Sequence, residues 1–355
     1  MAQQDTQLQA QFIPRFRTDI YPFIAPSKFR ESLRNKVTII TGAAGAIGQG
    51  LAESFAVAGA KLVLTYNRTP PPPQLKERCL KFGASEVIFV RCNVAELEGC
   101  EALVKQTLDL HGRADILINN AGANGLGPLH AQAPEDFIKE IAVNFHGPYY
   151  LMRLLLPHFR EQRSGCVLNI ASRAGTVAIP YSTGYCSSKA ALINLTACAQ
   201  KELDIDGMGN EVHMYSLHPG GIKSAMTLKS ISTFSKHLGD VWLTRYVEYS
   251  AESVSNLPPQ AQSKFVNALD IYDDSPYLNG MVCVALATGL GKEVLRGRYF
   301  DVGQDLEDVL AQGEVLKGNP DLYGLHTSFL GGLKNGGVPE GGYRREEWGM
   351  EFPGF

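Results

Sequence analysis

A glycine-rich turn between an apolar run and a helical pattern constrains the fold of this chain more than any other feature. Residues 37–40 form the run, residues 41–48 read Thr-Gly-Ala-Ala-Gly-Ala-Ile-Gly, and Leu51 and Phe55 continue on one helical stripe. A second apolar run at residues 61–65 completes a strand, helix, strand unit. In such a unit the glycines let the backbone approach a pyrophosphate at the helix N-terminus, so the pattern favours dinucleotide binding over a ligand-free turn.

Three further apolar runs each end at polar residues. They are residues 116–118 before Asn-Asn-Ala-Gly at 119–122, residues 167–170 before Ser172, and residues 212–217 before His218. The carboxyl ends of parallel strands form the ligand crevice of an open α/β sheet, so we expect Asn120 and Ser172 to face one site. The sequence therefore predicts an α/β chain, a single-domain Rossmann fold with a doubly wound parallel sheet and helices on both faces.

The candidate chemistry lies in a tyrosine and a lysine that are four residues apart, Tyr185 and Lys189. This spacing places both side chains on one face of a helix. The lysine ammonium can then lower the pKa of the phenol from its usual value of about 10, which makes the hydroxyl a usable acid or base near neutrality. Such a pair alone is more often a solvated helix face, so the interpretation depends on the glycine turn and Ser172.

Together these motifs resemble the short-chain dehydrogenase/reductase family. The matching positions are residues 41–48, residues 119–122, Asn144, Ser172, Tyr185, Lys189, Pro219 and Gly220. Residues 21–26 and 295–302 also resemble longer fungal members, many of them tied to secondary metabolism. The turn departs from the family's common T-G-x-x-x-G-x-G form, because Ala46 stands at the middle glycine position and Gly45 precedes it. That spacing marks the extended branch, but the other motifs favour the short form, so we interpret the turn as a variant.

The resemblance implies a role for each matching residue. Tyr185 is expected to donate the proton in reduction and to accept it in oxidation, while Lys189 holds the nicotinamide ribose and stabilises the tyrosinate. Ser172 is expected to orient the substrate oxygen, and Asn144 to kink its helix and anchor a water. The positions expected to bind the cofactor are Thr41, Gly42, Gly45, Ile47, Gly48, Asn67, Arg68, Asn93, Val94, Asn120, Ala121, Gly122, Tyr185, Lys189, Pro219, Gly220, Ile222 and Ser224.

Two residues near these motifs are interpreted as structural. Tyr181 is followed four residues later by Tyr185 and not by a lysine, so we expect it to pack or to line the pocket. His218 precedes Pro219, and we expect a structural histidine with satisfied hydrogen bonds.

The end of the second strand carries the signal for cofactor choice. Tyr66 stands where NAD-preferring proteins place an acidic residue, and no carboxylate is present there to repel a 2′-phosphate. Arg68, Asn67 and Thr69 can bind such a phosphate, although the glycine turn lacks a basic residue. We therefore expect NADP(H) in preference to NAD(H).

Composition and charge exclude several other classes. A formal net charge of −3 over 355 residues gives no electrostatic footprint for nucleic acid or an anionic membrane surface. The cysteines form no C-x-x-C pair and no cluster with histidine, so neither a disulfide framework nor a metal site is expected. The N-terminus has no apolar stretch of signal-peptide or membrane-spanning length, and we expect a cytoplasmic enzyme.

We divide the chain into an N-terminal extension (1–33), a Rossmann-type domain (34–304) and a C-terminal helix and tail (305–355). Within the domain, residues 225–265 correspond to the segment that folds over substrate in this family. A helix is expected over 305–317, and the four prolines at 70–73 are expected to form a short stiff loop.

The resulting hypothesis is an NADP(H)-dependent oxidoreductase that interconverts a ketone and a secondary alcohol. The apolar side chains of residues 225–265 favour a bulky substrate that resembles a secondary metabolite. An epimerase, dehydratase or cyclase that uses the same site without net redox change stays open. A hydrolase is disfavoured because no G-x-S-x-G elbow occurs at a strand end, and a non-catalytic nucleotide-binding module because the four catalytic positions are complete.

Assembly is expected from apolar stripes on two predicted helices, residues 147–159 and 187–203. The stripes consist of Leu151, Leu154 and Leu155 on the first helix and Ala191, Leu195 and Ala199 on the second. Members of the resembled family pair these helices across a two-fold axis, so we expect a homodimer or homotetramer.

Overall fold

The computed structural model describes residues 10–224, Met226 and residues 273–327. The described residues include seven strands, which all run parallel in one sheet of order β3-β2-β1-β4-β5-β6-β7. The strands are β1 (Val37–Ile40), β2 (Lys61–Tyr66), β3 (Glu86–Arg91), β4 (Ile116–Asn119), β5 (Gly165–Ile170), β6 (Val212–His218) and β7 (Tyr299–Asp301). The apolar runs in the sequence thus correspond to the first, second, fourth, fifth and sixth strands.

The described helices connect these strands or follow the last of them. They are α1 (Ala46–Val57), α2 (Pro73–Phe82), α3 (Leu97–His111), α4 (Pro134–Ile141), α5 (Gly147–Glu161), α6 (Thr183–Ile205), α7 (Pro276–Ala287), α8 (Lys292–Leu295), α9 (Leu306–Ala311) and α10 (Gly313–Gly318). Short 3-10 turns occur at Pro22–Ile24, Pro26–Lys28, Leu129–Ala131 and Arg173–Gly175, and a π turn at Ala142–His146 joins α4 to α5.

Two hydrophobic cores lie on opposite faces of the sheet. On β2, Leu62 and Leu64 pack into the core that contains α1 and α7, whereas Val63 packs into the core that contains α3, α5 and α6. Successive residues of a strand point to opposite faces, so burial of both faces explains why these strands are continuous apolar runs. The doubly wound α/β fold expected from the sequence is confirmed.

The strand order reverses between β1 and β4, and this reversal positions the site. Ile40 of β1 pairs with Leu64 of β2 on one side and with Ile118 of β4 on the other. The chain leaves β1 and β4 at the same edge of the sheet and moves away in opposite directions, which opens a crevice at their carboxyl ends. Residues 41–48 and 119–122 border this crevice.

Much of the described N-terminal extension belongs to the core. Tyr21, Ile24, Phe29 and Leu33 are buried in the cluster that contains α1 and α7. The N–H of Leu306 donates a 2.7 Å hydrogen bond to the Tyr21 hydroxyl. Two arginines bind the acidic residues of α9 and its N-cap, in the pairs Arg15 with Asp308 and Arg17 with Asp305. Residues 20–33 therefore pack on the same core as the strands, while the expected division of the chain at residue 33 stays a prediction.

Two local predictions require correction. The helix expected over 305–317 is two helices, α9 and α10, separated at Gln312, where the backbone leaves the helical region and the side chain binds the Phe12 backbone. The proline run does not form a loop throughout, because Pro73 is the first residue of α2 and a proline suits that position.

The apolar stripes predicted on α5 and α6 are buried in part by the chain itself. Leu151 and Leu155 are fully buried in the chain's own core, and Ala199 is buried beside them. Leu154 and Leu195 are partly buried against the same cluster. Packing against the sheet explains the buried part of these stripes, while the pairing of the two helices between subunits stays a prediction.

The chain divides into two compact units, Met1–Gly324 and Leu325–Phe355. Only residues 325–327 of the second unit are described. The predicted substrate segment at 225–265, apart from Met226, and the tail beyond residue 327 lie outside the described residues. None of the described helices is long and apolar enough to span a bilayer.

Replacing Ile24 with alanine tests the contribution of the N-terminal segment to the core. Ile24 is fully buried, so Ile24→Ala is expected to lower the free energy of unfolding by about 2–5 kcal/mol through lost burial and the cavity left behind. Urea denaturation measures this change. Ile13→Ala is the matched control, because Ile13 is 75% exposed and its loss should cost at most about 0.5 kcal/mol. Equal effects of the two variants would remove the segment from the core.

Candidate active site

The glycine turn after β1 closes only because two of its residues lack side chains. Gly42 has φ +68°, and a Cβ there would lie 2.9 Å from the Cα of Ala121. A Cβ on Gly48 would collide with the carbonyl oxygen of Gly42. Gly45 differs, since its Cβ would meet only the Gly42 carbonyl oxygen at 3.7 Å, an ordinary contact. Glycine at 42 and 48 is thus required by the fold, whereas glycine at 45 keeps the exposed end of α1 open.

The N-terminus of α1 is suited to a phosphate group. Ala46 is the first residue of the helix, and its N-cap, the exposed Gly45, makes no side-chain hydrogen bond to the first turn. Ile47 is half-buried in that turn. The free N–H groups and the positive end of the helix dipole favour an anion here. The residues present therefore fit a pyrophosphate, and Ala46 in place of the usual glycine does not block the turn.

Thr41 and Asn120 hold the two sides of the crevice together. The Thr41 hydroxyl accepts hydrogen bonds from the N–H groups of Asn120 and Ala121, both at 2.9 Å. The Asn120 side chain donates to the carbonyl oxygens of Thr41 and Gly42, at 2.8 and 3.1 Å. These bonds connect the glycine turn after β1 to the residues after β4, so both segments keep one geometry.

Four of the residues predicted to bind the cofactor follow β2 and β3. Asn67 donates a 3.3 Å hydrogen bond to the Asn93 side chain, which in turn donates to Glu96. Val94 is buried, and its carbonyl oxygen would lie 2.8 Å from a Cβ on Gly147. Arg68 is exposed beside Asn67. The structure brings Asn67 and Asn93 together and leaves Arg68 on the surface at the end of β2.

The residues after β6 form a tight connection. Gly220 has φ +90°, and a Cβ there would lie 2.9 Å from the Asp274 carboxylate. That carboxylate accepts a 2.7 Å hydrogen bond from the N–H of Gly221. Ile222 is buried and forms an isolated bridge with Asp273. Pro219 begins this connection, and Ser224 is two residues beyond Ile222, at the end of the continuous described stretch.

Tyr185, Lys189 and Ser172 converge at the carboxyl end of β5. Lys189 is only 4% exposed, and its Nζ donates a 2.7 Å hydrogen bond to the carbonyl oxygen of Ile170, the last residue of β5. The same Nζ lies 5.6 Å from the centroid of the Tyr185 ring. The Ser172 hydroxyl accepts from the N–H of Ala174 and so caps the turn at Arg173–Gly175. Burial lowers the pKa of Lys189 to about 8.

Asn144 is fully buried in the π turn between α4 and α5, where a kink was expected. Its side-chain amide accepts from the N–H of Ala123 and donates to the Ala123 carbonyl oxygen, both at 2.8 Å. The amide also donates to the Ser188 hydroxyl at 3.1 Å, and this hydroxyl donates to the carbonyl oxygen of Tyr185. Asn144 thus connects the loop after β4 to the first turns of α6.

The residue after Ser172 forms an ion pair that the sequence analysis missed. Arg173 donates a 2.6 Å hydrogen bond to Asp301 at the end of β7, and its N–H donates to Nδ1 of His218 at 3.3 Å. Burial lowers the pKa of His218 to about 4, which agrees with a neutral imidazole that accepts a hydrogen bond. The structural role expected for His218 agrees with this geometry. Glu140, a buried carboxylate near Tyr185, was also missed, because neither residue belongs to a local motif.

Tyr181 occupies a left-handed conformation with φ +65°, which is uncommon for a residue with a bulky side chain. Its carbonyl oxygen accepts a 3.0 Å hydrogen bond from the N–H of Gly127 in the loop after β4. The side chain is half-buried. Tyr181 therefore connects this loop to the chain that enters α6.

The described residues contain no group of three histidine, cysteine or acidic side chains that can hold a metal ion. The seven cysteines, all within the described ranges, are free thiols.

Comparisons with known proteins agree with this geometry. Residues 36–233 match the sequence model of the family described as short chain dehydrogenase. A protein named short chain dehydrogenase from Pseudocercospora fijiensis is 31% identical, with coverage of 84% of this chain and 90% of that protein. A protein from Arabidopsis thaliana named 11-beta-hydroxysteroid dehydrogenase-like 4A is 33% identical, with coverage of 58% and 67%.

Two solved structures are similar as well. A metagenomic short-chain oxidoreductase in complex with NADP is 31% identical, with a TM-score of 0.50 and coverage of 54% of this chain and 84% of that one. A short-chain type dehydrogenase/reductase from Mycobacterium marinum is 19% identical, with a TM-score of 0.62 and coverage of 78% and 97%. The second likeness concerns the fold alone.

Two substitutions distinguish Gly48, where no side chain fits, from Gly45, where a side chain would fit. Gly48→Ala is expected to weaken NADPH binding by about tenfold or more, equivalent to about 1.4 kcal/mol, because its Cβ forces the turn apart. Gly45→Ala should leave the fold unchanged, so any loss of NADPH affinity reports how closely the pyrophosphate approaches. Fluorescence titration measures binding, with urea unfolding as the control for folding. Unchanged affinity in Gly48→Ala would contradict the assignment of this turn.

Proposed function

This chain belongs to the short-chain dehydrogenase family, and we propose that it interconverts a ketone and a secondary alcohol with NADP(H), using Tyr185 as general acid and base. Membership of this family means that the chain is an oxidoreductase that uses a nicotinamide cofactor and acts on a small molecule. The observation that carries the finer proposal is the placement of the Lys189 ammonium 5.6 Å from the Tyr185 ring at the carboxyl end of β5.

The charge on Lys189 supports a role for Tyr185 in proton transfer. With a pKa of about 8, Lys189 keeps its proton in about nine molecules of ten at pH 7. A positive charge beside the ring favours the tyrosinate over the phenol, which supports Tyr185 as the group that exchanges the proton. Tyr185 can then donate its proton to a carbonyl oxygen in reduction and recover it in oxidation. The bound nicotinamide supplies or accepts the hydride.

Lys189 also has bonding capacity for the cofactor ribose. An ammonium has three N–H donors, and the bond to the Ile170 carbonyl oxygen uses one of them. Among the described residues, no carboxylate forms an ion pair with this buried cation. Ribose hydroxyls would satisfy the remaining donors, which supports the proposed role of Lys189 in holding the nicotinamide ribose. Ser172 is proposed to donate its hydroxyl proton to the substrate oxygen. In its bond with Ala174 the hydroxyl is the acceptor, so that bond does not use the proton.

Two observations support NADP(H) as the cofactor. β2 ends at Tyr66 without an acidic side chain, and Arg68 is exposed beside Asn67, where it can approach a 2′-phosphate. The metagenomic relative, similar in sequence and fold, was solved in complex with NADP. The remaining proposed phosphate and ribose contacts are those of the glycine turn and of Asn67 and Asn93.

The substrate is proposed to be a bulky ketone or alcohol of the kind found in secondary metabolism. The names of several relatives refer to hydroxysteroids, which are large apolar alcohols. The fungal relative shares most of its length with this chain. The segment proposed to cover the substrate, residues 225–265, contributes apolar side chains such as Phe234 and Trp242. Proteins of this family are commonly oligomeric, and a cytoplasmic dimer or tetramer stays part of the proposal.

Removing the Tyr185 hydroxyl tests the proposed proton donor. Tyr185→Phe is expected to bind NADPH with nearly normal affinity and to lose about two to four orders of magnitude in turnover. Stopped-flow or steady-state oxidation of NADPH with a panel of bulky ketones measures the rate. Tyr181→Phe is the matched control, because it removes a phenol hydroxyl four residues away. A Tyr185→Phe rate above about a tenth of the wild-type rate would rule out the assignment.

Replacing Arg68 tests the proposed cofactor preference. Wild-type protein is expected to bind NADPH at least about tenfold more tightly than NADH, since one charge-assisted hydrogen bond contributes about 1.5–3 kcal/mol. Arg68→Ala should reduce NADPH affinity to near that of NADH and leave NADH affinity unchanged. Fluorescence titration of both reduced cofactors provides the measurement. Equal or tighter binding of NADH by the wild type would refute the preference, and intact NADPH affinity in Arg68→Ala would remove Arg68 from the site.

A further inference from the structure

Glu140, near the end of α4, places a carboxylate in the protein interior. The residue is only 3% exposed. One of its oxygens accepts a hydrogen bond from the N–H of Gly125, and the other accepts a 3.0 Å bond from the Gln132 side chain. Burial raises the pKa of Glu140, and these two donors oppose the rise. A buried carboxylate is costly unless its neighbours compensate the charge with hydrogen bonds or a favourable dipole.

The same carboxylate faces the first turn of α6, directly before Tyr185. A Cβ on Gly184 would collide with the Glu140 carboxylate oxygen and would lie 3.2 Å from the Phe137 ring. The absence of a side chain at Gly184 therefore admits the carboxylate to the start of the helix. α6 begins at Thr183 without a side-chain cap from Ser182 and without an acidic residue in its own first turn. Glu140 thus supplies, from another helix, the negative charge that the positive end of a helix dipole favours.

The loop that Glu140 binds is also connected to the rest of the site. This loop, residues 123–132, follows the predicted cofactor-binding residues 120–122. Its residues are held at four points, by Asn144 at Ala123, by Glu140 at Gly125 and Gln132, and by the Tyr181 carbonyl oxygen at Gly127. Glu140 contacts both the loop and the first turn of α6, and Asn144 joins Ala123 of the loop to Ser188, further along the same helix.

We propose that Glu140 is a positioning residue for Tyr185, because its carboxylate joins the loop at 123–132 to the first turn of the helix that carries the tyrosine. This inference rests on the proposed function of Tyr185 as proton donor. Glu140 does not contact the reacting atoms in this scheme. It fixes the start of α6, and with it the position of the Tyr185 hydroxyl relative to Lys189 and Ser172.

Hydrogen exchange of Glu140→Gln tests the connection without any substrate. The glutamine side chain is similar in size to glutamate, but it carries no charge. Its amide N–H groups are donors, whereas the N-terminus of a helix needs an acceptor. Amide exchange is expected to become about tenfold faster at residues 125–132 and 183–186 and to stay unchanged at residues 190–205. Glu135→Gln is the matched control, since it removes the same charge from an exposed position of the same helix. Faster exchange in the loop alone, or in neither segment, overturns the proposal.

A second variant perturbs the contact from the other side. Gly184→Ala keeps the carboxylate, but its Cβ displaces the group from the helix start. It is expected to accelerate exchange at residues 183–186 to a similar extent. Unchanged exchange in this variant would also count against the proposal, and this result stands even if Glu140→Gln folds poorly.

Turnover distinguishes a positioning role from a purely structural one. With NADPH and phenanthrenequinone as the probe ketone, Glu140→Gln is expected to lower kcat by about tenfold with KM and NADPH affinity nearly unchanged. In a Tyr185→Phe background the same change should have little further effect, because the group it positions is gone. Additive losses would overturn the positioning role. A Tyr185→Phe protein that remains active would instead refute the proposed function, while the exchange experiment still decides whether Glu140 joins the two segments.

Discussion

The hydrogen bonds of Thr41 and Asn120 across the carboxyl ends of β1 and β4 are the interaction on which the site depends. β1 and β4 are neighbours in the sheet, but the order of the sheet reverses between them, so the segments that follow them diverge at the crevice. One hydroxyl and one amide satisfy four backbone groups that would otherwise face the crevice. The glycine turn keeps its shape because its far side is bound to the residues after β4, and the loop at 123–132 starts from the same fixed point.

A second set of contacts extends this rigidity to the proposed proton donor. Asn144 binds Ala123 and, through Ser188, the backbone of Tyr185, while Arg173 joins the ends of β5, β6 and β7 through His218 and Asp301. Although burial alone would raise the pKa of Asp301, the ion pair with Arg173 and the hydrogen bond from the N–H of Gly303 hold it below its ordinary value. The turn that follows Ser172 is therefore fixed by charge as well as by its own cap.

Features with a local cause could be predicted from the sequence, whereas features that arise from distant contacts could not. The strands of the sheet interior are apolar because both faces are buried, and Gly42 and Gly48 are glycines because no Cβ fits. By contrast, Arg173 and Asp301 are 128 residues apart, and nothing in either stretch identifies the partner. The apolar stripe of α5 shows the same limit, because such a stripe indicates burial but does not identify the residues that cover it. Nothing in the sequence around Glu140 indicates burial, because Gly184, which leaves room for its carboxylate, lies on a different helix.

The pairing of residues 15–21 with residues 303–312 has a consequence for synthesis of the protein. The ribosome makes the partners of the first segment nearly 300 residues after the segment itself. These partners include Asp305, Leu306 and Asp308. Residues 15–21 therefore cannot form these contacts until that distant stretch has been made. Docking of this segment couples completion of the fold to the synthesis of at least β7 and α9.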